Sequence, residues 1–135
     1  MTGQTAKRVL IVEDEALLAL YLEDLLNALG HEVVGQAMRI DRAMELAREM
    51  DIDFAVLDIN VAGTKSFPVA DILRHRGIPF AFITGYGAEG LMDGYRDFPV
   101  LRKPYAQEDL ERTIAQVLAA GSGHAVLPGD ARNGI

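Results

Sequence analysis

The chain has 135 residues, half of them hydrophobic, which suits one domain with a single buried core. It has no cysteine, which excludes disulfides and thiolate metal sites, and its net charge of −7 argues against non-specific binding to nucleic acid. Its apolar runs are far shorter than the ~20 residues of a membrane span, and its first residues lack the apolar stretch of a signal peptide. We therefore expect a cytoplasmic protein that binds neither nucleic acid nor membrane.

Short apolar runs alternate with longer amphipathic segments along the chain. In chain order, the pattern predicts a strand at Val9–Val12, a helix over 15–29, a strand at Glu32–Ala37, a helix over 40–50, a strand at Phe54–Ile59, a helix over 66–76, a strand at Pro79–Ile83, a helix over 88–95, a strand at Pro99–Leu101 and a helix over 106–120. Strands that are apolar throughout are typical of a parallel sheet covered on both faces. The pattern predicts a doubly wound, flavodoxin-like α/β fold with five strands in the order 2-1-3-4-5 and five helices.

The last residues differ in composition from the rest. Residues 121–135 are rich in glycine and too short for a second domain. We expect one domain over residues 1–120, followed by a flexible tail over 121–135 and by no output domain.

Polar side chains follow the ends of four predicted strands. Glu13 and Asp14 end the first strand, Asp58 the third and Thr84 the fourth, while Lys103 follows the fifth. In an open α/β sheet, ligands bind beyond the carboxyl ends of the strands, and the first and third strands are neighbours in the predicted order. The sequence therefore predicts that the three carboxylates lie together. Each residue alone could be a cap, a turn residue or a solvated charge.

This set of residues suits phosphoryl transfer. Three clustered carboxylates repel one another unless a cation joins them, and oxygen ligands suit Mg²⁺. A carboxylate can also act as a nucleophile towards phosphorus. Lys103 and the Thr84 hydroxyl could then bind the new phosphoryl oxygens, and Gly85 would leave the approach to them open.

The motifs VLIVEDE, FAVLDIN, FITGYG and LRKPY stand in the order seen in response regulator receiver domains. The chain resembles that CheY-like family over about residues 7–120. The resemblance implies that Asp58 accepts a phosphoryl group from a histidine kinase, and that Glu13, Asp14, Asp58 and the Asn60 carbonyl hold Mg²⁺. It also implies that Thr84 and Lys103 assist catalysis, and that the bond between Lys103 and Pro104 is cis.

Two departures from the usual receiver pattern point to a subgroup. Val61-Ala62 replaces the usual Met-Pro, and Leu101 stands in the stretch before the lysine where receivers usually carry an aromatic switch residue. GIPFAFITGYG is similar to the FATGUY receivers, often single-domain regulators partnered with kinases of the HWE or a related type. In this subgroup Tyr86 is the switch candidate, while Tyr95 and Phe98 either line a partner surface or pack internally.

Three functions remain open at this point. The first is a phosphoacceptor that changes shape for a protein partner, or passes its phosphoryl group along a phosphorelay, and that catalyses only its own phosphorylation and dephosphorylation. The second is an Mg²⁺-dependent phosphatase with an aspartate nucleophile, against which Asn60 stands where such enzymes carry a second aspartate. The third is an adaptor for which phosphorylation is irrelevant.

Overall fold

The computed structural model describes residues 6–85, 95 and 98–124. Strands and helices alternate along the described chain. In chain order the elements are β1 (Arg8–Val12), α1 (Ala16–Ala28), β2 (Glu32–Ala37), α2 (Ile40–Glu49), β3 (Phe54–Asp58), β4 (Asn60–Val61), β5 (Thr64–Lys65), α3 (Phe67–His75), β6 (Phe80–Thr84), β7 (Val100–Arg102) and α4 (Gln107–His124). The predicted helix over 88–95 lies outside the described residues, apart from Tyr95.

Five strands form one parallel sheet in the order β2-β1-β3-β6-β7. The predicted order 2-1-3-4-5 is therefore confirmed for the five long strands. In this register Asp58 lies opposite Ile83, and Thr84 lies opposite Arg102. The carboxyl ends of β1, β3, β6 and β7 consequently share one edge of the sheet, and this positions the polar residues that follow them.

The sheet separates two apolar clusters. The side that α2 and α3 cover packs their apolar residues against alternate side chains of the strands, such as Leu10, Leu57 and Phe82. The side that α1 and α4 cover packs against the other set, such as Ile11, Val56 and Ile83. Since the side chains of a strand alternate between faces, the apolar residues that precede Asp58 in β3 and Thr84 in β6 fill both clusters.

A short antiparallel hairpin follows β3, in a stretch between the third predicted strand and the helix over 66–76. Asn60 pairs with Lys65 and Val61 with Thr64. The two residues between the strands have positive φ, 51° at Ala62 and 83° at Gly63, as a tight two-residue hairpin turn requires. The hairpin returns the chain towards β3, where Ser66 N donates to Ile59 O at 2.9 Å before α3 begins.

The last helix is longer than predicted. It continues to His124, four residues into the segment expected to be a tail, because backbone hydrogen bonding persists through Gly121 and Gly123 despite their low helix propensity. The rest of the predicted tail, residues 125–135, lies outside the described residues. Among the helices described, none combines the length and the apolar character needed to cross a membrane.

Candidate functional site

The acidic pair at the end of β1 is held by backbone groups. Glu13 N donates to Ala37 O of β2 at 3.0 Å, and the Glu13 carboxylate accepts from Glu15 N at 3.1 Å. The neighbouring Asp14 accepts from Ala62 N, in the hairpin turn, at 2.9 Å. Glu13 is almost fully buried, whereas Asp14 is partly exposed. The two carboxylates therefore have different surroundings: that of Glu13 lies in the protein interior, and that of Asp14 lies against the hairpin turn.

Asp58 lies at the centre of this edge. Its Oδ2 accepts from Lys103 Nζ at 2.8 Å, and its Oδ1 accepts from Asn60 N at 3.2 Å. Lys103 Nζ also lies 3.5 Å from Glu13 Oε1. The lysine itself is positioned by its backbone, since Lys103 N donates to Thr84 O at 2.9 Å. The Lys103 ammonium thus contacts the carboxylates of both Glu13 and Asp58. Asp58 lies 45 residues before the lysine in sequence.

The site carries more negative charge than its lysine balances. Carboxylate oxygens of Glu13, Asp14 and Asp58 lie within 4.8 Å of one another. Burial, together with the charge of Asp58, raises the pKa of Glu13 to about 7. The hydrogen bond from Glu15 N and the charge of Lys103 lower this pKa, but by less. Burial alone would lower the pKa of Lys103, but its bonds to Asp58 and Glu13 outweigh that effect and raise it. Such a cluster of oxygens, with excess charge, fits a hard divalent cation.

The other residues singled out from the sequence are placed as follows. Thr84 is buried at the end of β6, and Asn60 is exposed at the start of the hairpin. A Cβ built on Gly85 would meet no atom within 4 Å, so the space beside the site is open there. Leu101 is buried, but it belongs to the cluster under α1 and α4. Tyr86 lies outside the described residues.

Sequence reasoning missed a contact between α1 and the chain that follows Lys103. The peptide bond between Lys103 and Pro104 is cis, as expected, and Tyr105, the next residue, is buried in the cluster on the side of α1 and α4. Tyr21 donates its hydroxyl to Tyr105 O at 2.9 Å, and the two rings lie 5.6 Å apart. Helical spacing suggested that Tyr21 faces the core, and nothing local in the sequence signals a bond to a carbonyl 84 residues away.

The geometry is that of a known family. A model of the response regulator receiver domain matches residues 9–115. The chain therefore belongs to the response regulator receiver domains, the modules of two-component signalling that histidine kinases phosphorylate and that generally bind Mg²⁺ through acidic residues.

Individual relatives share about a third of their residues with the chain. It is 34% identical over 123 residues to the phyllosphere-induced regulator PhyR of Methylorubrum extorquens, covering 87% of this chain and 46% of that protein. The solution structure of SdrG from Sphingomonas melonis is 39% identical with a TM-score of 0.76, covering 84% of this chain and 97% of SdrG. The anti-anti-sigma factor PhyR from Bartonella quintana is 32% identical with a TM-score of 0.77, covering 93% of this chain and 54% of that one. The chain thus spans about half the length of the curated relatives that it matches.

Proposed function

We propose that this receiver domain accepts a phosphoryl group on Asp58 from a histidine kinase and signals to a protein partner by changing conformation. The observation that carries the proposal is the contact of Lys103 Nζ with Asp58 Oδ2 at 2.8 Å, beside the carboxylates of Glu13 and Asp14. A structural ion pair would need one carboxylate, whereas this lysine faces a cluster of three. The excess of acceptors suits a site that binds a cation and a phosphoryl group together.

The transfer step needs a nucleophile with a free lone pair. An oxygen of the Asp58 carboxylate attacks the phosphorus of the donor phosphohistidine, so that a P–O bond forms as the P–N bond breaks. The imidazole of the donor leaves with the bonding electron pair. Lys103 then donates to an oxygen of the acyl phosphate instead of to the free carboxylate. The other ring nitrogen of the donor carries a proton, so the ring leaves as neutral imidazole.

The metal would be held by Glu13, Asp14, Asp58 and the Asn60 carbonyl. Three carboxylates and a carbonyl are oxygen donors, the ligand type that Mg²⁺ prefers. When bound, the ion neutralises charge that develops on the transferring phosphoryl oxygens. Burial first, and then the charge of Asp58, raise the pKa of Glu13, and a cation bound beside it would favour its charged form.

The conformational response follows from the new charge. A phosphoryl group adds about two negative charges at the sheet edge. It favours the population in which the Thr84 hydroxyl and Lys103 bind its oxygens. Thr84 ends β6, and its backbone carbonyl is bonded to Lys103 N at the end of β7. A shift of Thr84 therefore moves both strands, and we propose that the segment over 88–95, β7 and α4 form the surface that a partner reads, with Tyr86 as a candidate switch.

The surroundings of the site favour a protein as donor. The large hydrophobic side chains that are exposed within the described residues lie in the first half of α1, which follows β1, or directly after β2: Leu17, Leu20, Tyr21 and Met38. Leu17 is 80% exposed in the first turn of α1. A donor domain that covers these side chains would gain apolar contact while it presents its histidine to Asp58.

The identity of the partners is a narrower proposal. Likeness to the FATGUY receivers suggests a kinase of the HWE type, acting in the cytoplasm. PhyR from Bartonella quintana is an anti-anti-sigma factor, so a protein target rather than DNA is the output that we propose here. A second receiver-bearing or histidine-bearing protein in a phosphorelay would fit the same chemistry.

Labelling with a small phosphodonor tests the central claim. We expect acetyl phosphate to label the wild-type chain in the presence of Mg²⁺, and we expect Asp58→Asn and chelation of Mg²⁺ each to abolish the label. Asp53→Asn is the matched control, because Asp53 lies at the amino end of β3, on the opposite edge of the sheet. An acid-labile label that persists in Asp58→Asn would contradict the assignment.

The two other functions have their own outcomes. Multiple turnovers of an added phosphate ester would indicate a phosphatase. Identical binding of a partner with and without beryllofluoride, a mimic of the phosphoryl group, would indicate an adaptor that ignores phosphorylation.

A further inference from the structure

A cluster of five aromatic rings lies between α3 and β6, on the side of the sheet opposite α1 and α4. Its members are Phe67, Phe80, Phe82, Tyr95 and Phe98. Tyr95 is the centre of the cluster, with ring centroids 5.2 to 6.1 Å from each of the other four. It is 4% exposed. The mechanism of phosphoryl transfer uses none of these rings.

Tyr95 is the one member of the cluster that carries a hydroxyl group, since the other four are phenylalanines. The hydroxyl donates to Asp71 Oδ1 on α3. Arg74, one turn further along the same helix, places its guanidinium 5.2 Å from the centroid of the Tyr95 ring and 5.4 Å from that of Phe98. A buried phenol without a partner is costly, so this bond to Asp71 fixes where the ring can lie. Burial and the neighbouring Asp71 also raise the pKa of Tyr95 to about 12, which keeps the hydroxyl a donor.

The cluster touches the phosphoacceptor edge at two points. The first is the start of α3: Ser66 N is bonded to Ile59 O, next to Asp58, and Phe67 follows at once and stacks on Tyr95 at 5.6 Å and 14°. The second is β6: Phe82 precedes Thr84 by two residues, on the same face of the strand, and meets Tyr95 edge-on at 5.5 Å. A change at Asp58 or Thr84 therefore reaches the Tyr95 ring through one side chain in each case.

No residue of β7 provides a ring on this face. Val100 packs against the cluster as an aliphatic side chain, and Leu101 faces the other side of the sheet. Phe67 of α3 and Phe82 of β6 also meet directly at 5.7 Å, and Tyr95 packs against both rings and against Phe98, before β7.

We propose that Tyr95 is a conformational latch, closed by its hydrogen bond to Asp71 while Asp58 is a free carboxylate paired with Lys103, and released when Asp58 is phosphorylated. This inference rests on the proposed function of Asp58. The end of β6 moves when Thr84 turns to the phosphoryl oxygens, and the packing of Phe82 on Tyr95 changes with it. Packed rings have few alternative arrangements, so the ring leaves its bond to Asp71 instead of deforming gradually. The segment before β7 and the exposed face of α3, with Arg74, then change together.

Because conformation and ligand binding are thermodynamically linked, the proposed release of Tyr95 can be measured as a change in the affinity for a phosphoryl mimic. A bond that is present only in the unphosphorylated state opposes activation, so removing it must tighten the binding of a phosphoryl mimic. We expect Tyr95→Phe and Asp71→Ala each to lower the apparent Kd of beryllofluoride, in the presence of Mg²⁺, by roughly three- to tenfold, the range for one net hydrogen bond. The double variant should bind no more tightly than the better single variant, because both changes remove the same bond.

The experiment is a beryllofluoride titration of the full chain, followed by ¹H–¹⁵N NMR of wild type, the two single variants and the double variant. Asp53→Asn is the control for general destabilisation, since it removes a carboxylate bonded to Arg8 N at 2.7 Å on the far edge of the sheet. We expect its Kd to match the wild-type value. In the wild type, the Arg74 side-chain resonances should also shift on addition of beryllofluoride, as the guanidinium loses the ring currents of Tyr95.

Two results would overturn the latch. One is an unchanged Kd in both single variants, and the other is an Arg74 side chain whose resonances do not respond in the wild type. Failure of the proposed function looks different: the wild type would then not bind beryllofluoride at all, or Asp58→Asn would bind it equally well. A wild type that binds, beside variants that bind no better, contradicts the latch alone.

Discussion

Each face of the sheet is covered by two helices and packed with apolar side chains. The side chains on the two faces differ in chemical type. On the side of α1 and α4 the contacts are mainly aliphatic, with Ile11, Leu22, Leu26 and Ile83 fully buried. On the side of α2 and α3, near β6, the contacts are largely between rings, and one ring is tied by a hydrogen bond to Asp71. Branched aliphatic side chains pack without directional bonds, whereas rings and hydroxyls have preferred geometries.

This difference suggests a division of labour between the faces. The aliphatic face holds β1, β3 and the acidic pair in place, and the hydroxyl bond described on this side, from Tyr21 to Tyr105 O, joins α1 to the chain after Lys103 and does not involve β6. The aromatic face couples β6 to α3 through contacts that depend on angle. We therefore expect substitutions on the aliphatic face to change stability alone, and substitutions on the aromatic face to change the response to a phosphoryl mimic.

The largest expected effect on stability is that of Leu26→Ala on the aliphatic face. Leu26 is fully buried, and truncation leaves a cavity that the fixed strands cannot close, so the free energy of unfolding should fall by about 2–5 kcal/mol. Urea denaturation measures this change. Leu20→Ala on the exposed side of the same helix is the control, with an expected change within ~0.5 kcal/mol. A change in the beryllofluoride Kd of folded Leu26→Ala would break the proposed division.

A smaller loss is expected for Gly35→Ala in β2. A Cβ at this position would lie 2.8 Å from Met50 Sδ and 3.3 Å from Leu10 Cδ1. We expect a loss of about 1–3 kcal/mol from overpacking, which denaturation in urea would detect. In a Met50→Ala background the same substitution should cost less, because the side chain nearest to the new methyl group is gone. Equal costs in the two backgrounds would show that the clash with Met50 is not the cause.

Phe82→Leu tests the difference between the two faces of the sheet within a single strand. Removing this ring should cost only about 1 kcal/mol of stability, yet it should alter the beryllofluoride Kd, because Phe82 links Thr84 to Tyr95. Ile83→Val, the next residue, faces the aliphatic side and should cost a similar ~0.5–1.5 kcal/mol with no change in Kd. The pair of titrations would contradict the division of labour if both variants, or neither, changed the Kd.

The smallest effect concerns pH and the histidine at the edge of the aliphatic face. His31 is buried against Phe54 and accepts from Lys7 N at 3.1 Å; burial, and then the charge of Lys7, lower its pKa below 6.5. Because the folded state binds this proton less readily than the unfolded chain, the contribution of His31 to stability is complete above pH 6.5. It declines as the pH falls below 6.5 towards the folded-state pKa.

Denaturation across pH 5 to 8 would test this, as the difference between wild type and His31→Gln. We expect the difference to shrink below pH ~6.5. Leu20→Ala, which changes no titratable group, is the control and should give a difference that does not vary in this way. A constant difference for His31→Gln would exclude it as a source of pH dependence.

Much of the fold was predictable because it depends on local periodicity. The five long strands, their parallel order and four helices were predicted to within a few residues, because apolar runs and helical spacing are properties of neighbouring residues. Glu13, Asp14, Asp58 and Lys103 were predicted to meet since each follows a strand of a parallel sheet, and the structure brings them together. Their roles in phosphoryl transfer stay a prediction, as does the switch role of Tyr86.

Contacts between segments far apart in the chain were not predictable in this way. The hairpin after Asp58 depends on positive φ at Ala62, which composition does not signal, and Tyr21 reaches a carbonyl after Lys103 instead of the core. Tyr95 was assigned either to a partner surface or to packing. Nothing near it in sequence indicates its bond to Asp71, 24 residues away.

The sequence by itself determined which residues could carry the chemistry and that they would share one edge of a sheet. The side-chain period and the parallel topology suffice for that. Only the tertiary structure decided how the charges balance at that edge, with one lysine between two of three carboxylates, and that Tyr95 packs against rings of both α3 and β6. These features depend on distances of a few ångströms between elements that pack against one another, and no local pattern of residues encodes such distances.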